Sequence, residues 1–490
     1  MDKGAAQVKT RVEKDSLGPL NVPAAAYYGV QTARAVENFP VSGLTASHKA
    51  FGYGVLVEAF VHIKKAAAVV NHKLGMLDKP RRDAIVAACD AVLKGELRDQ
   101  WVIDWYQAGA GTSFNMNTNE VIANLANERF APTAKQRKRG DYAFVHPNDH
   151  VNMAQSTNDT MPTAIRLSNL MLLPRTLESL DLLIHELKLK SRNFARTITT
   201  GRTHLQDATP ITVGQVFGAF ADCLLLARAR LNQASEMLRV LGLGGTAVGT
   251  GMNSDPRYAV AVSAQLAKQL GTRLQTSRNI IQVHNSMADP LAFSAALRSL
   301  AVDLSRIAND LRLMSSGPTS GVGEINLPPV QPGSSIMPGK VNPVMLEMFN
   351  MTCYQVIGLD LAVMGCSQAG QFQLNVMMPM IAFDLLHMQT ILGNSMRLVA
   401  VRCIHGITVN RERCRQYFEA SMGLATVLNP VIGYSAAAEI VKRAVKQGTP
   451  IMDELRSAKR PDGTPVLSEA EMREVFKPER LTKPGSLKRK

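Results

Sequence analysis

The sequence predicts an all-α protein organised around a central bundle of long helices. Apolar residues recur in alternating steps of three and four over three stretches of about two dozen residues each, as on helices that pack at a shallow angle. Runs that alternate apolar with polar, as half-buried strands do, are few. The chain has 490 residues, of which 46% are apolar. That is globular in composition and too long for one simple core, so two to four domains are expected.

Residues 1–156 read as a mixed, mainly helical N-terminal domain with turn signals at Gly18-Pro19 and His146-Pro147-Asn148-Asp149. Residues 157–410 read as the bundle domain. Its first seam runs Leu170, Leu173, Leu177, Leu180, Ile184, Leu187, Phe194, Ile198, skipping one position at Ser191. The second runs Phe217, Phe220, Leu224, Ala227, Leu231, Ala234, Leu238, Leu241, and the third Phe293, Leu297, Leu300, Leu304, Ile307, Leu311, Met314. Bundles of such helices commonly continue into an oligomer. Residues 411–490 read as a small C-terminal helical domain, broken at Asn429-Pro430 and Gly433, with a surface loop at 459–465. From Lys483 onward a poorly ordered basic tail is expected.

Composition removes several function classes. No run approaches 18 apolar residues, so no membrane span is predicted, and the start lacks the apolar stretch of a secretory signal. Six cysteines, scattered without a C-x-x-C pair, read as reduced thiols of a cytoplasmic protein. The net charge of +15 could steer an anionic metabolite or attract nucleic acid. The basic clusters Lys135-Gln136-Arg137-Lys138-Arg139 and Lys488-Arg489-Lys490 carry no interleaved aromatics, so they read as solvated loop and tail.

Four polar runs interrupt the helical pattern: Gly111 to Glu120; His146 to Asn152 leading into Gln155 to Asp159; Gly201 to Asp207; and Gly333-Ser334-Ser335-Ile336-Met337-Pro338-Gly339-Lys340-Val341-Asn342-Pro343. The last cannot be an ordinary helix, because Pro lacks a donor and Gly costs helical entropy. It reads as a loop that brings Lys340 and its own N–H groups toward a serine oxygen, an arrangement that lowers a hydroxyl pKa or holds an anion. The other runs are rich in neutral donors, which suit carboxylate oxygens at helix N-termini. Each alone reads as well as helix capping; four together favour an anion site. His204 could be a general acid or base, a ligand, or a satisfied interior histidine. His146 and His150 flank Pro147, and no Cys or His spacing suits zinc, so no metal is expected. Gly242-Leu243-Gly244-Gly245-Thr246-Ala247 fits G-x-G-x-x-A, but it follows a heptad rather than a strand, so a dinucleotide site is rejected.

The run from Gly333 to Pro343 resembles the signature of the aspartase/fumarase superfamily, and the resemblance extends from about Val12 to about Leu455. It implies a three-domain, all-helical subunit whose long helices assemble into a tetramer with a twenty-helix core, each active site drawing on three subunits. The substrate would be a small dicarboxylate or amino acid, with no cofactor. Two activities dominate the family, deamination of aspartate and hydration of fumarate. Gly111-Thr112-Ser113-Phe114-Asn115-Met116-Asn117, Gln155-Ser156-Thr157-Asn158 and Glu37-Asn38-Phe39-Pro40 are similar to the deaminating branch. Fumarate hydration, or a lyase acting on a substituted aspartate, is the alternative. By the same resemblance Ser334 is the base. Thr203, His204, Lys340 and Asn342 bind the β-carboxylate, and Thr112, Ser156, Thr157 and Asn158 surround the α-carboxylate and amino end. Ser113 and Glu347 complete the binding set, Glu347 matching the partner of the histidine at His204. The chain departs from family habit at Thr319, Val216, Gln373 and Met378, outside the matched runs.

Overall fold

Helices carry nearly all the regular structure of the chain, seen here in a computed structural model that describes residues 9–47, 54–460 and 462–485. The tail at Lys488-Arg489-Lys490, the first eight residues and Pro461 of the loop at 459–465 lie outside the described residues. The chain opens with a hairpin, β1 (Thr10–Asp15) antiparallel to β2 (Gly18–Pro23). Helices α1 (Val30–Asn38), α2 (Gly54–Lys73), α3 (Lys79–Leu93) and α4 (Thr112–Phe130) follow. Next comes α5 (Thr157–Asn193), whose 37 residues span about 55 Å at the helical rise. A second hairpin, β3 (Ile198–Thr203) and β4 (Gln206–Thr212), leads into α6 (Val213–Met237). Then come α7 (Tyr258–Leu270), α8 (Ile280–Asn285), α9 (Ala288–Met314), α10 (Val344–Gln368) and α11 (Met378–Arg402). Six shorter helices close the chain: α12 (Arg411–Ala420), α13 (Asn429–Ile432), α14 (Tyr434–Gln447), α15 (Ile451–Ser457), α16 (Glu469–Val475) and α17 (Pro478–Leu481). Among the described residues no helix is long and apolar enough to cross a membrane.

The third seam lies wholly on α9. The first two run past their helices. Phe194 and Ile198 follow the end of α5, Ile198 on β3, and Leu238 and Leu241 follow the end of α6. Phe194, Leu238 and Leu241 are nonetheless buried. Apolar spacing reports which side chains enter the core, and a chain leaving its helix can keep feeding the same core.

Two compact units emerge from the contacts. One comprises Met1–Leu177, Arg228–Ala301 and Cys353–Gly393, the other Glu178–Ala227, Val302–Thr352 and Asn394–Lys490. In the first, Phe60, Ile63 and Ala67 of α2 and Ile85 and Val92 of α3 are buried at helical spacing. Asp78 accepts from the Arg81 N–H at 2.9 Å to cap α3, with Pro80 in its first turn. In the second, Leu187, Leu224, Leu304, Leu311, Phe349 and Val399 meet around one apolar core. The C-terminal helices of that unit bury Leu424, Leu428, Ile440, Ile451, Leu455 and Met472.

Candidate active site

In the first unit the expected residues sit at two helix starts. Thr112 and Ser113 open α4, and Ser156, Thr157 and Asn158 open α5. The first polar run is therefore not an interruption: from Thr112 it is helix. Its low-propensity Ser, Asn and Thr side chains are held by tertiary hydrogen bonds. Trp101 Nε1 donates to Thr118 Oγ1 at 3.0 Å, and Asn117 Nδ2 donates to the Gln100 carbonyl at 2.9 Å. The second run makes a reciprocal cap. The Ser156 N–H donates to Asp159 Oδ1 at 3.0 Å, and the Asn158 N–H donates to Ser156 Oγ at 3.2 Å. Asn115 Nδ2 donates to Thr157 Oγ1 at 3.2 Å, so α4 and the start of α5 are joined.

Behind these donors lie two buried charges that the pattern of runs did not single out. Lys64 Nζ donates to Asn115 Oδ1 at 2.7 Å, Asn152 Oδ1 at 2.9 Å and Gln155 Oε1 at 2.9 Å. Three acceptors match the three donors of an ammonium. Asp159 Oδ2 accepts from the Gly244 and Thr246 N–H groups at 3.0 and 2.9 Å. This gives the rejected glycine motif a structural use. Burial pulls Lys64 down and pushes Asp159 up, each to about 7, while their mutual attraction opposes both changes. The signal for Lys64 was present. It sits beside Phe60, Ile63 and Ala67 on the apolar face of α2, where a lysine needs partners.

In the second unit, Thr203 and His204 occupy the exposed tip of the β3–β4 hairpin, where Thr203 pairs with Gln206. His204 and Leu205 both have positive φ, 56° and 59°, the conformation of a two-residue turn that fits strand twist. Neither is the usual Gly or Asn, so the tip holds backbone strain.

The serine loop is closed by its own backbone. The Gly333 N–H donates to the Lys340 carbonyl at 2.8 Å, and Asn342 Nδ2 returns to the Gly333 carbonyl at 2.8 Å. Ser334 Oγ accepts from the N–H groups of Ile336 at 3.2 Å and Met337 at 3.0 Å. The loop frames a concavity of about 430 Å³ lined by residues that include Ser334, Met337 and Lys340. Lys340 is exposed, and Glu347 lies in the first turn of α10. Among the described residues no hydrogen bond or ion pair joins the His204 tip to the loop or to Glu347. Among the described residues no group of three or more His, Cys, Asp or Glu is placed to hold a metal ion. An oxygen held by two amide N–H groups, with a lysine on the same loop, suits an anionic oxygen.

Residues 18–358 match the lyase family and residues 424–483 match the fumarase C C-terminus. The chain belongs to the aspartase/fumarase superfamily. An aspartate ammonia-lyase of Pseudomonas aeruginosa is 47% identical over 97% of both chains. One of Bacillus subtilis is 43% identical over 98% of this chain and 97% of that one. A fumarate lyase:delta crystallin from Brucella melitensis bound to cobalt matches in structure with a TM-score of 0.91 at 47% identity, covering 97% of this chain and all of that one. A class II fumarase from Schistosoma mansoni matches at a TM-score of 0.89 and 35% identity, covering 96% of this chain and 98% of that one. The all-helical architecture expected from the seams is that of the superfamily.

Proposed function

We propose that this chain is a carbon–nitrogen lyase that reversibly deaminates L-aspartate to fumarate and ammonia, with Ser334 as the base. Relatives described as aspartate ammonia-lyases, 41–47% identical over nearly the whole chain, support the reaction. The observation that carries the base is the pair of N–H groups on Ser334 Oγ. A serine hydroxyl is ordinarily too weak an acid to supply an alkoxide. Two fixed amide donors, and an ammonium carried on the same loop, would stabilise the charged form, more so when water is excluded.

In the reaction the alkoxide takes a Cβ proton of aspartate. The electron pair moves onto the β-carboxylate as an aci-carboxylate, then forms the double bond as the Cα–N bond breaks. The group that needs preorganised donors is therefore the β-carboxylate. Thr203, His204, Lys340 and Asn342 are proposed to bind it, with Glu347 beside His204. Thr112, Ser113, Ser156, Thr157 and Asn158 are proposed to surround the α-carboxylate and amino group. These sets would meet in a homotetramer, each site drawing on three subunits. A clue to assembly is the bare apolar face of α10, where Tyr354, Leu361 and Met364 are 57%, 63% and 45% exposed. Three domains, 1–156, 157–410 and 411–490, are proposed, with α5 and α12 opening the second and third. Six free cysteines fit a reducing, cytoplasmic setting.

The reaction is tested by product identification. Purified protein is incubated with fumarate and ammonium, and separately with fumarate in water. L-Aspartate in the first tube is expected; malate alone would move the assignment to fumarate hydration.

A further inference from the structure

Glu324 is 1% exposed. It lies on the stretch that leads to the serine loop, and its carboxylate faces β3. Arg202 Nη1 donates to both Glu324 oxygens at 3.1 Å, Nη2 donates to Oε1 at 3.1 Å, and Thr199 Oγ1 also donates to Oε1. The backbone of Glu324 is fixed at both ends. Its N–H donates to the Met314 carbonyl at the end of α9 at 2.9 Å, and its carbonyl accepts from the Asn410 N–H at 2.8 Å.

Helix α12 closes the same assembly. The Arg202 guanidinium lies 5.1 Å from the centre of the Tyr417 ring, and that of Arg413 lies 4.8 Å away. Tyr417 Oη donates to the Val322 carbonyl at 2.8 Å, and Thr200 Oγ1 donates to the Tyr417 carbonyl at 2.9 Å. Two segments leave this junction. Thr203 and His204 adjoin Arg202. The stretch after Glu324 passes Pro328, Pro329 and Pro332, which fix φ and stiffen it, before reaching Ser334.

We propose that Glu324, acting through Arg202 and Thr199, is a positioning residue that sets the Thr203–His204 tip and the root of the Ser334 loop together. The inference rests on the reading of the tip and the loop as parts of one active site, and only for the activity arm of its test. A buried carboxylate that accepts through both its oxygens from a guanidinium fork fixes direction as well as distance. A tip that is strained and exposed has little else to hold it. Displacement of about 1 Å at such a site can cost on the order of a hundredfold in rate. A charged pair here therefore serves placement, where an apolar pair would serve stability as well.

The test compares the parent with Glu324→Gln and the milder Arg202→Lys, each as full chain. Amide hydrogen exchange is read by mass spectrometry, and kcat and KM are read for whichever of aspartate deamination and fumarate hydration the parent catalyses. Faster exchange is expected in both 203–206 and 333–340 in each variant, with the long helices unchanged. KM should rise roughly fivefold and kcat fall about tenfold or more in Glu324→Gln, with Arg202→Lys between it and the parent. Unchanged exchange at the tip and the loop overturns the proposal. So does an unchanged KM with kcat lowered only in proportion to the folded fraction, the signature of a purely structural pair. A parent that makes malate and no aspartate overturns the reaction assigned above and leaves the comparison of variants intact.

Discussion

Gly333→Ala isolates the closure of the serine loop from its chemistry. Gly333 has no positive φ, so its need for glycine is one of space. An added Cβ would sit 2.5 Å from the Lys340 carbonyl oxygen and 2.9 Å from the Asn342 N. Neither is the end of a flexible side chain, so the loop must open. Opening breaks the Gly333–Lys340 and Asn342–Gly333 bonds, both 2.8 Å. At about 1 kcal/mol each, the closed form loses about 2 kcal/mol, which is roughly a thirtyfold drop in its population. The loop is largely exposed, so global stability should hardly change. Steady-state kinetics with aspartate should show kcat/KM down about thirtyfold, and a thermal melt should stay within about 2 °C of the parent. Activity within about twofold of the parent would refute the idea that this backbone clasp sets the loop. Gly339→Ala is the contrast. Its φ is +79° and nothing lies near its added Cβ, so only the conformational cost of about 1–2 kcal/mol applies.

Three more expectations follow from buried polar groups and the catalytic loop. Asp384 is fully buried and neither carboxylate oxygen has a partner among the described residues; burial raises it from 3.8 to about 7. The folded chain thus keeps a proton that the unfolded chain releases between about pH 4 and 7, so stability falls across that window, by about 4 kcal/mol in all. Asp384→Asn removes the dependence. Denaturant titrations should show its advantage over the parent growing by about 2 kcal/mol from about pH 5.5 to about pH 8, and a constant difference would contradict the burial argument. Lys64→Met strands the acceptors of Asn115, Asn152 and Gln155. It should cost on the order of 3 kcal/mol in urea unfolding; a change below about 0.5 kcal/mol would show that the network is not needed for stability. Replacing Ser334 by Ala gives the third test, taken up below.

The three helical seams were legible because each buries one stripe of a helix at regular spacing. Helices α10 and α11 escaped that reading. On α10, buried Phe349, Val356 and Val363 share the circumference with exposed Tyr354, Leu361 and Met364, so no polar face sharpens the period. The β3–β4 hairpin escaped because His204 and Leu205 take positive φ where Asn-Gly would have announced the turn. The Thr112 helix looks like an interruption in the sequence because Ser, Thr and Asn favour caps over helix interiors, and only tertiary partners overrule that preference. The loop itself was plain, since Gly and Pro exclude a helix and leave Ser334 and Lys340 on one short segment. The junction at Glu324 could not be read, because its partners Arg202 and Tyr417 are distant in the chain and no spacing links them.

Proton removal turns on one oxygen, and the most direct measurement is kcat for aspartate in Ser334→Ala beside a melt and a size determination of the same preparation. A loss of about a thousandfold or more, with fold and assembly unchanged, is the expected result. Turnover within about tenfold of the parent would contradict the proposal that Ser334 removes the Cβ proton.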